Sequence, residues 1–471
     1  MSRHLYLLSI LSFLFGTLAF WLQMKGLLFA ILVVLWAYSL FFTLKDVDKK
    51  IALCSFLVTF FSFLLGRIFI DTLFPGFESD YTMEVDNRDT YSQRAIYFVL
   101  YSLILSLIGL SIGYLSAKKA NKSNRIENPL YLSRIRTISK HLTYFFFLFV
   151  LLVTYEKIKY IWDNGYLNYY LTYKESLPHI FYTLSASYKF SFFIFLSTFP
   201  SKKEAKPLIW LYLIEACIQL LSGQRGAFIT PVLFIIIYFF VRNSLSPQDP
   251  WIGKKGKIAL VVTIPVLCAF LFLVMLLRGG DETGKFDLLT LFVNFFYQLG
   301  GSEVIIGYAY DFKPIVPEDQ WYSLGPLIRF FQYNPIAHLF GIEPIEFQSI
   351  EMATKGHELG SFITYRIDPS RYLAGGNVAS SYVAELWLDF GYIGILIGNF
   401  IYGRILASIS FLSKPNIWKT TILFIMLFRI ISAPRASFAF FITDCLSFSF
   451  IIMILYMLGR CKDIPHYIPN K

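Results

Sequence analysis

Runs of about 17 to 22 consecutive apolar residues recur along the chain, and at 1.5 Å of rise per residue each can cross a hydrocarbon core about 30 Å thick. Twelve such runs lie at approximately 5–22, 27–44, 51–70, 96–116, 139–156, 180–199, 207–222, 226–241, 258–277, 386–406, 416–433 and 437–458. Each is continuously apolar, without the alternation of a barrel strand, so the spanning form is a helix that satisfies its own backbone groups. The expected fold is all-α: a polytopic membrane helical bundle of about 12 transmembrane helices, built as a single integral membrane domain over residues 1–471. Composition agrees, with 56% hydrophobic and 15% charged residues. Soluble domains carry about 25% charge, so a water-soluble multidomain enzyme is excluded. Disorder is excluded as well, because no long stretch combines low hydrophobicity with high charge.

The start of the chain, basic and then apolar, has the outline of a signal peptide. It lacks a small-residue cleavage site, and a second apolar run follows within a few residues, so an uncleaved first span is expected. The five cysteines, Cys54, Cys217, Cys268, Cys445 and Cys461, show no zinc-ligand or disulfide-framework spacing.

Basic residues set the direction of the spans. Lys45, Lys49 and Lys50, the cluster from Lys118 to Lys140, Lys202, Lys203 and Lys206, and Arg242 to Lys257 fall on alternate connections. Arg3, Arg404, Lys414, Lys419, Arg460, Lys462 and Lys471 complete that set, whereas Asp71, Glu78, Asp80, Glu84, Asp86 and Asp89 make an opposite connection acidic. The excess of Lys and Arg on one side places both termini in the cytoplasm. It also accounts for the net charge of +11 without nucleic acid as a partner.

One outward connection, residues 278–383 between spans nine and ten, is a large periplasmic loop of about a hundred residues. Loops of that size are uncommon unless they do something. Within it, 286–310 and 322–341 are apolar enough to lie along the membrane or re-enter it; two further full spans there would raise the count to 14 without changing the orientation.

Arginines at the outer face need a reason, since one at a helix centre costs about 2.5–3.5 kcal/mol on insertion scales. Arg225 sits in Ser222-Gly223-Gln224-Arg225-Gly226, a very short outer turn at the start of a helix. Free N–H groups at a helix N-terminus favour an anion, so the pattern fits an oxyanion or phosphate cradle. A snorkelling arginine in a tight hairpin is the plainer alternative. Arg278 closes span nine ahead of Gly279 and Gly280, and Arg429 and Arg435 bracket the last outer hairpin, where Pro434 breaks the helix. Convergent arginines would bind a diphosphate bidentately, and single ones would anchor lipid headgroups.

The end of the large loop carries His357, Arg366, Arg371 and then Glu385 and Asp389 at i, i+4 on one helical face. His357 is a candidate base or positioning donor, or a solvated surface histidine. His338 is a weaker candidate of the same kind. Asp389 is expected to neutralise an arginine, and Glu385 to do the same or to polarise an attacking hydroxyl. No Walker A loop, HExxH or CxxC occurs, and Asp46-Val47-Asp48 lies in a short charged cytoplasmic turn. Neither a metal nor a cofactor is called for, and outer-face chemistry would run without nucleotide sugars.

Ser222-Gly-Gln-Arg-Gly-Ala-Phe228 and Ser380-Ser-Tyr-Val-Ala-Glu-Leu-Trp-Leu-Asp-Phe-Gly-Tyr-Ile-Gly394 resemble the Wzy family of O-antigen and capsule repeat-unit polymerases. Chain length, span number and the position of the large loop are similar too. The resemblance implies a glycosyltransferase of the bacterial inner membrane whose donor and acceptor are linked to undecaprenyl pyrophosphate, among membrane lipids and with a separate chain-length regulator as a partner. It implies catalytic roles for Arg225 and Arg278, with His357 as the loop histidine; Glu385, by its own position at the mouth of span ten, is the other catalytic candidate, to orient or deprotonate the acceptor hydroxyl. Arg366, Arg371, Arg429 and Arg435 are then the candidates for substrate binding. A flippase for the lipid-linked repeat unit and an O-antigen ligase are the alternatives.

Overall fold

The computed structural model describes residues 2–73, 91–117, 126–279, 288–334, 337, 339–412 and 416–468. Most of the acidic residues of the first outer connection, the Lys118–Arg125 part of the second cytoplasmic one, Gly280, His338 and Lys414 lie outside these residues. The architecture is all-helical, apart from a two-residue antiparallel ladder between β1 (Ile126–Glu127) and β2 (Tyr467–Ile468).

Among the described residues, eight helices are long and apolar enough to cross a membrane: α1 (Ser2–Trp21), α2 (Lys25–Leu44), α3 (Val47–Leu73), α4 (Gln93–Ser116), α5 (Pro129–Asn164), α7 (His179–Ser197), α9 (Arg225–Leu245) and α17 (Tyr382–Ser410). A bent pair, α19 (Phe440–Leu446) and α20 (Phe448–Arg460), meets at 45° and brings the number to nine if it counts as one span. The protein is thus a multi-pass membrane protein, but twelve spans are not reached among the described residues. Two shortfalls have a physical cause. Helix α8 (Lys202–Leu220) carries Lys202, Lys203, Glu204, Lys206 and Glu215, which dilute its apolar character. Helix α18 (Ile417–Ile430) has 14 residues, short of the 17 or more a span needs.

The chain divides into two compact units. The first comprises Met1–Ala117, Ile252–Ala407 and Ile431–Phe440. Within it α4 meets α17, and small residues let the two backbones approach closely. A Cβ on Gly109 would run into the carbonyl of Leu396, one on Gly113 into that of Phe400, and one on Gly403 into that of Leu110. Membrane helices associate through such small-residue faces because apolar burial gives no net drive in lipid. Arg67, buried in α3, stacks 4.6 Å from the ring of Tyr297 and lies within electrostatic reach of Glu303, whose carboxylate also accepts the hydroxyl of Tyr91 at 2.9 Å.

The first unit also holds α10 (Lys254–Gly279) and the large loop. Instead of two further spans, the loop folds into short helices: α11 (Leu288–Leu299), α12 (Val304–Phe312), α13 (Gly325–Gln332), α14 (Ile350–Lys355), α15 (Leu359–Ile367) and α16 (Pro369–Leu373). Prolines at the first turns of α13 and α16, and a glycine at each of the C-terminal boundary residues 356 and 375–376, account for the fragmentation.

The second unit comprises Lys118–Trp251, Ser408–Ile430 and Phe441–Lys471. Here α5 packs along α7, and α7 also meets α18 and α20. Between α5 and α7 the chain turns through Gly165 at φ +90° into a short helix, α6 (Tyr166–Thr172). Residues around the ladder fasten the tail: Glu127 accepts the Ile417 N–H at 2.9 Å and pairs with His466 Nε2 at 2.9 Å.

Candidate functional site

In the second unit, α8 ends at Leu220 and α9 begins at Arg225, so the connection is as tight as its sequence suggests. The Ser222 hydroxyl donates to the Gln219 carbonyl at 2.7 Å and the Gly223 N–H to Leu220 at 2.9 Å. Gly223 holds φ +76°, a left-handed conformation that residues with a Cβ resist. Arg225 is therefore the first residue of a 21-residue helix, and no side chain of the preceding Gln224 caps its N-terminus. Gln224 instead donates from Nε2 to the hydroxyl of Tyr170 at 3.4 Å, and the Trp162 indole donates to the Leu221 carbonyl at 3.2 Å. The turn is thus fastened to the end of α5 and to α6. Arg225 is half-buried there.

Arg429 has a different setting. Its Nε and Nη2 clasp the two oxygens of Asp444 at 2.8 and 3.0 Å, and Lys189 Nζ donates to the same carboxylate at 2.6 Å. Two cations and one anion from α7, α18 and α19 thus form a triad. Sequence reasoning missed Lys189 and Asp444. Their signal was available, since charges of opposite sign inside apolar runs have reason to pair.

The remaining candidates belong to the first unit. Glu385, in the first turn of α17, is fully buried. One of its oxygens accepts the Ser380 hydroxyl at 2.6 Å and the other the Phe438 N–H at 2.9 Å. Phe438 belongs to the hairpin that carries Arg435, which ends a short 3₁₀ turn, Ala433–Arg435, built on Pro434. Arg435 is exposed, with its guanidinium carbon 6.0 Å from the ring centre of Phe63.

Asp389, one helical turn after Glu385, does not serve the arginine expected of it. It accepts the N–H groups of Tyr322 and Ser323 at 3.1 and 2.7 Å and the Ser323 hydroxyl at 2.5 Å, holding the start of α13. The adjoining Trp321 N–H donates to His357 Nδ1 at 3.0 Å. Nδ1 is then an acceptor, and neutral His357 carries its proton on Nε2. Burial holds the imidazole below its ordinary pKa, which favours that neutral form. His357 has φ +52°, a conformation rare for residues with a side chain, and Gly325 presses so closely on its carbonyl that no Cβ would fit. Next to it, Glu358 pairs with Arg329 at 2.9 Å.

Arg366 is exposed with its guanidinium carbon 5.5 Å from the Phe362 ring centre, and the backbone of Arg371 is capped by Asp368 at 3.0 Å. Arg278 lies near the end of α10, and its side chain is outside the described residues. The predicted residues therefore fall into two sets, Arg225 and Arg429 in the second unit and Arg278, His357, Arg366, Arg371, Glu385 and Arg435 in the first. Among the described residues no three His, Cys, Asp or Glu side chains gather as metal ligands do.

A helical, multi-pass membrane protein with cationic turns at helix ends is the class these features define. The family model for O-antigen polysaccharide polymerase Wzy matches residues 4–463, nearly the whole chain, and the protein belongs to that family. No curated protein and no solved structure gives a significant match to the chain. Membership supports a polymerase role in polysaccharide biosynthesis.

Proposed function

We propose that the protein is a lipid-dependent glycosyltransferase of the bacterial cytoplasmic membrane, with both termini cytoplasmic. It would polymerise oligosaccharide repeat units carried on undecaprenyl pyrophosphate at the periplasmic face. A hydroxyl of the acceptor sugar attacks the anomeric carbon of the donor glycan. The bond from that carbon to the diphosphate oxygen breaks, its electron pair leaves on the diphosphate, and the hydroxyl proton passes to solvent or to the departing diphosphate. Membrane lipids surround the reaction, and a separate chain-length regulator is the proposed partner.

The observation that carries this reading is the setting of Arg225. A guanidinium stands at an uncapped helix N-terminus, in a turn braced by Gly223, Gln224 and Trp162. The negative charge that grows on a leaving diphosphate is what such a group and its neighbouring N–H donors stabilise. We assign the other candidates by their partners. Arg429 is held by Asp444 and serves to join helices. His357 acts as a donor through Nε2, because Nδ1 is occupied. Glu385, with both oxygens engaged, positions the hairpin of Arg435. Arg278, Arg366, Arg371 and Arg435 are the proposed contacts of the first unit with phosphate or glycan.

The test is Arg225→Ala in a deletion strain, read as the length of surface polysaccharide on gels. Losing one such donor costs about 10²–10³ in rate, so long chains should vanish while the protein still inserts. Lys at the same position should restore little, since it offers a point charge in place of a planar fork. Normal chain lengths in Arg225→Ala would discard the assignment. The deletion strain also separates the alternatives. Surface lipopolysaccharide capped with a single repeat marks a polymerase, absence of periplasmic repeats a flippase, and polymer stranded on undecaprenol a ligase.

A further inference from the structure

Between residues 155 and 182 the second unit concentrates seven of the chain's 31 tyrosines. Helix α5 runs to Asn164, the chain reverses at Gly165 and passes through α6, and Tyr173 to Pro178 leads back to α7. Glu156 fastens this return. One of its oxygens accepts the N–H and hydroxyl of Ser176 at 2.7 and 2.6 Å, and the other accepts the hydroxyl of Tyr182. Tyr160 and Tyr173 meet edge to face at 5.2 Å between ring centres, and Tyr173 meets Tyr169 at 4.9 Å. The Tyr160 hydroxyl is in turn 2.6 Å from that of Thr172.

Between the last turns of α5 and the returning segment lies a cleft of about 380 Å³. That falls in the range of small-ligand sites. Tyr155, Tyr160 and Tyr173 line it together with Asp163, Asn164, Lys159 and Lys174. Aromatic faces carry partial negative charge and attract the positive C–H patches of a pyranose ring. A carboxylate, an amide and ammonium groups supply acceptors and donors for hydroxyls around that ring. An acyl chain would want an apolar lining throughout, and an anion would want an excess of cations. Here Lys159 and Lys174 are offset by Glu156 and Asp163. Rings serving only as an interfacial belt would need neither the Glu156 clasp nor the walls it forms. Because that clasp is closed within the protein itself, little ordering is left for a ligand to impose.

We infer that this cleft is a carbohydrate subsite for an uncharged pyranoside of the glycan, separate from the diphosphate cradle at Arg225. The inference rests on the glycosyltransferase reading and deepens it. Tyr170, in the same cluster, takes the hydrogen bond of Gln224 and so ties the tyrosine segment to the Arg225 turn within one unit.

The experiment uses the full-length protein in lipid nanodiscs. Its probe is the oligosaccharide repeat released from the source strain's own polysaccharide, free of lipid and diphosphate, observed by saturation-transfer NMR. Binding should persist in Arg225→Ala and weaken at least tenfold in Tyr173→Ala and in Asp163→Ala. Asp163 is exposed, so its replacement leaves the fold alone. Wild-type binding in both variants, or tyrosine variants that fail only in membrane insertion, would overturn the subsite. Should those variants bind normally while Arg225→Ala makes no polymer, the subsite fails and the diphosphate assignment stands. Should they lose binding while Arg225→Ala polymerises normally, the diphosphate assignment fails and the subsite stands.

Discussion

The carboxylate of Glu385 reaches across 53 residues of chain to accept the backbone N–H of Phe438 at 2.9 Å. It thereby fixes the hairpin of Arg435 to the head of α17. Leaving such a buried N–H without an acceptor costs about 1–3 kcal/mol. Glu385→Ala should therefore lower the melting temperature in detergent clearly, and Glu385→Gln, which keeps one acceptor oxygen, by less. Equal melting of Glu385→Ala and wild type would remove the clamp role.

His357 makes a pH prediction. Its folded pKa lies below the ordinary value because burial disfavours the imidazolium. The unfolded chain therefore binds the proton more readily, and the stabilising contribution is complete above the unfolded value, about 6.5. It drains away as pH falls through the lower folded value. Melting temperature should drop between pH 7.5 and 5, and His357→Gln should flatten that part of the profile. An unchanged slope in the variant would contradict this.

The triad of Lys189, Asp444 and Arg429 predicts an asymmetry between its members. Asp444→Asn leaves two cations facing each other among apolar helices, and breaking a buried pair from one side costs about 3–5 kcal/mol. Lys189→Met leaves the Arg429–Asp444 clasp whole and should be milder. Membrane-inserted protein, measured by fluorescence-detected size exclusion, should fall far more in the first variant than in the second.

Substitution at the α4–α17 contact should be severe. Gly113→Leu places a side chain where the carbonyl of Phe400 already sits, so the two backbones must part. Gly226, where a Cβ meets nothing within 4 Å, is the control; Gly226→Ala should insert normally. Comparable yields for the two variants would contradict the packing account.

The helical membrane fold was legible because apolar runs of spanning length leave few other options, and the tight turn before Arg225 was legible from its glycines. What escaped was pairing over distance. Nothing local announces that Lys189 will find Asp444, 255 residues away, or that Asp389 will hold Ser323 in place of an arginine. Not every expected run reaches spanning length among the described residues. Residues 416–433 read as one apolar run, yet α18 ends at Ile430 before the 3₁₀ turn at Pro434. The apolar stretches 286–310 and 322–341 of the large loop, expected to lie along the membrane or re-enter it, are short helices among the described residues.

The glycine seam between α4 and α17 has a mechanical side. Two helices touching backbone to backbone have no flexible side chains between them to absorb displacement, so they behave as one stiff beam. A load applied at Leu396, near one end of that seam, would be felt at Gly403, near the other, with little damping on the way, whereas Asp389 lies beyond the break in α17 that Gly391 makes at φ +64°.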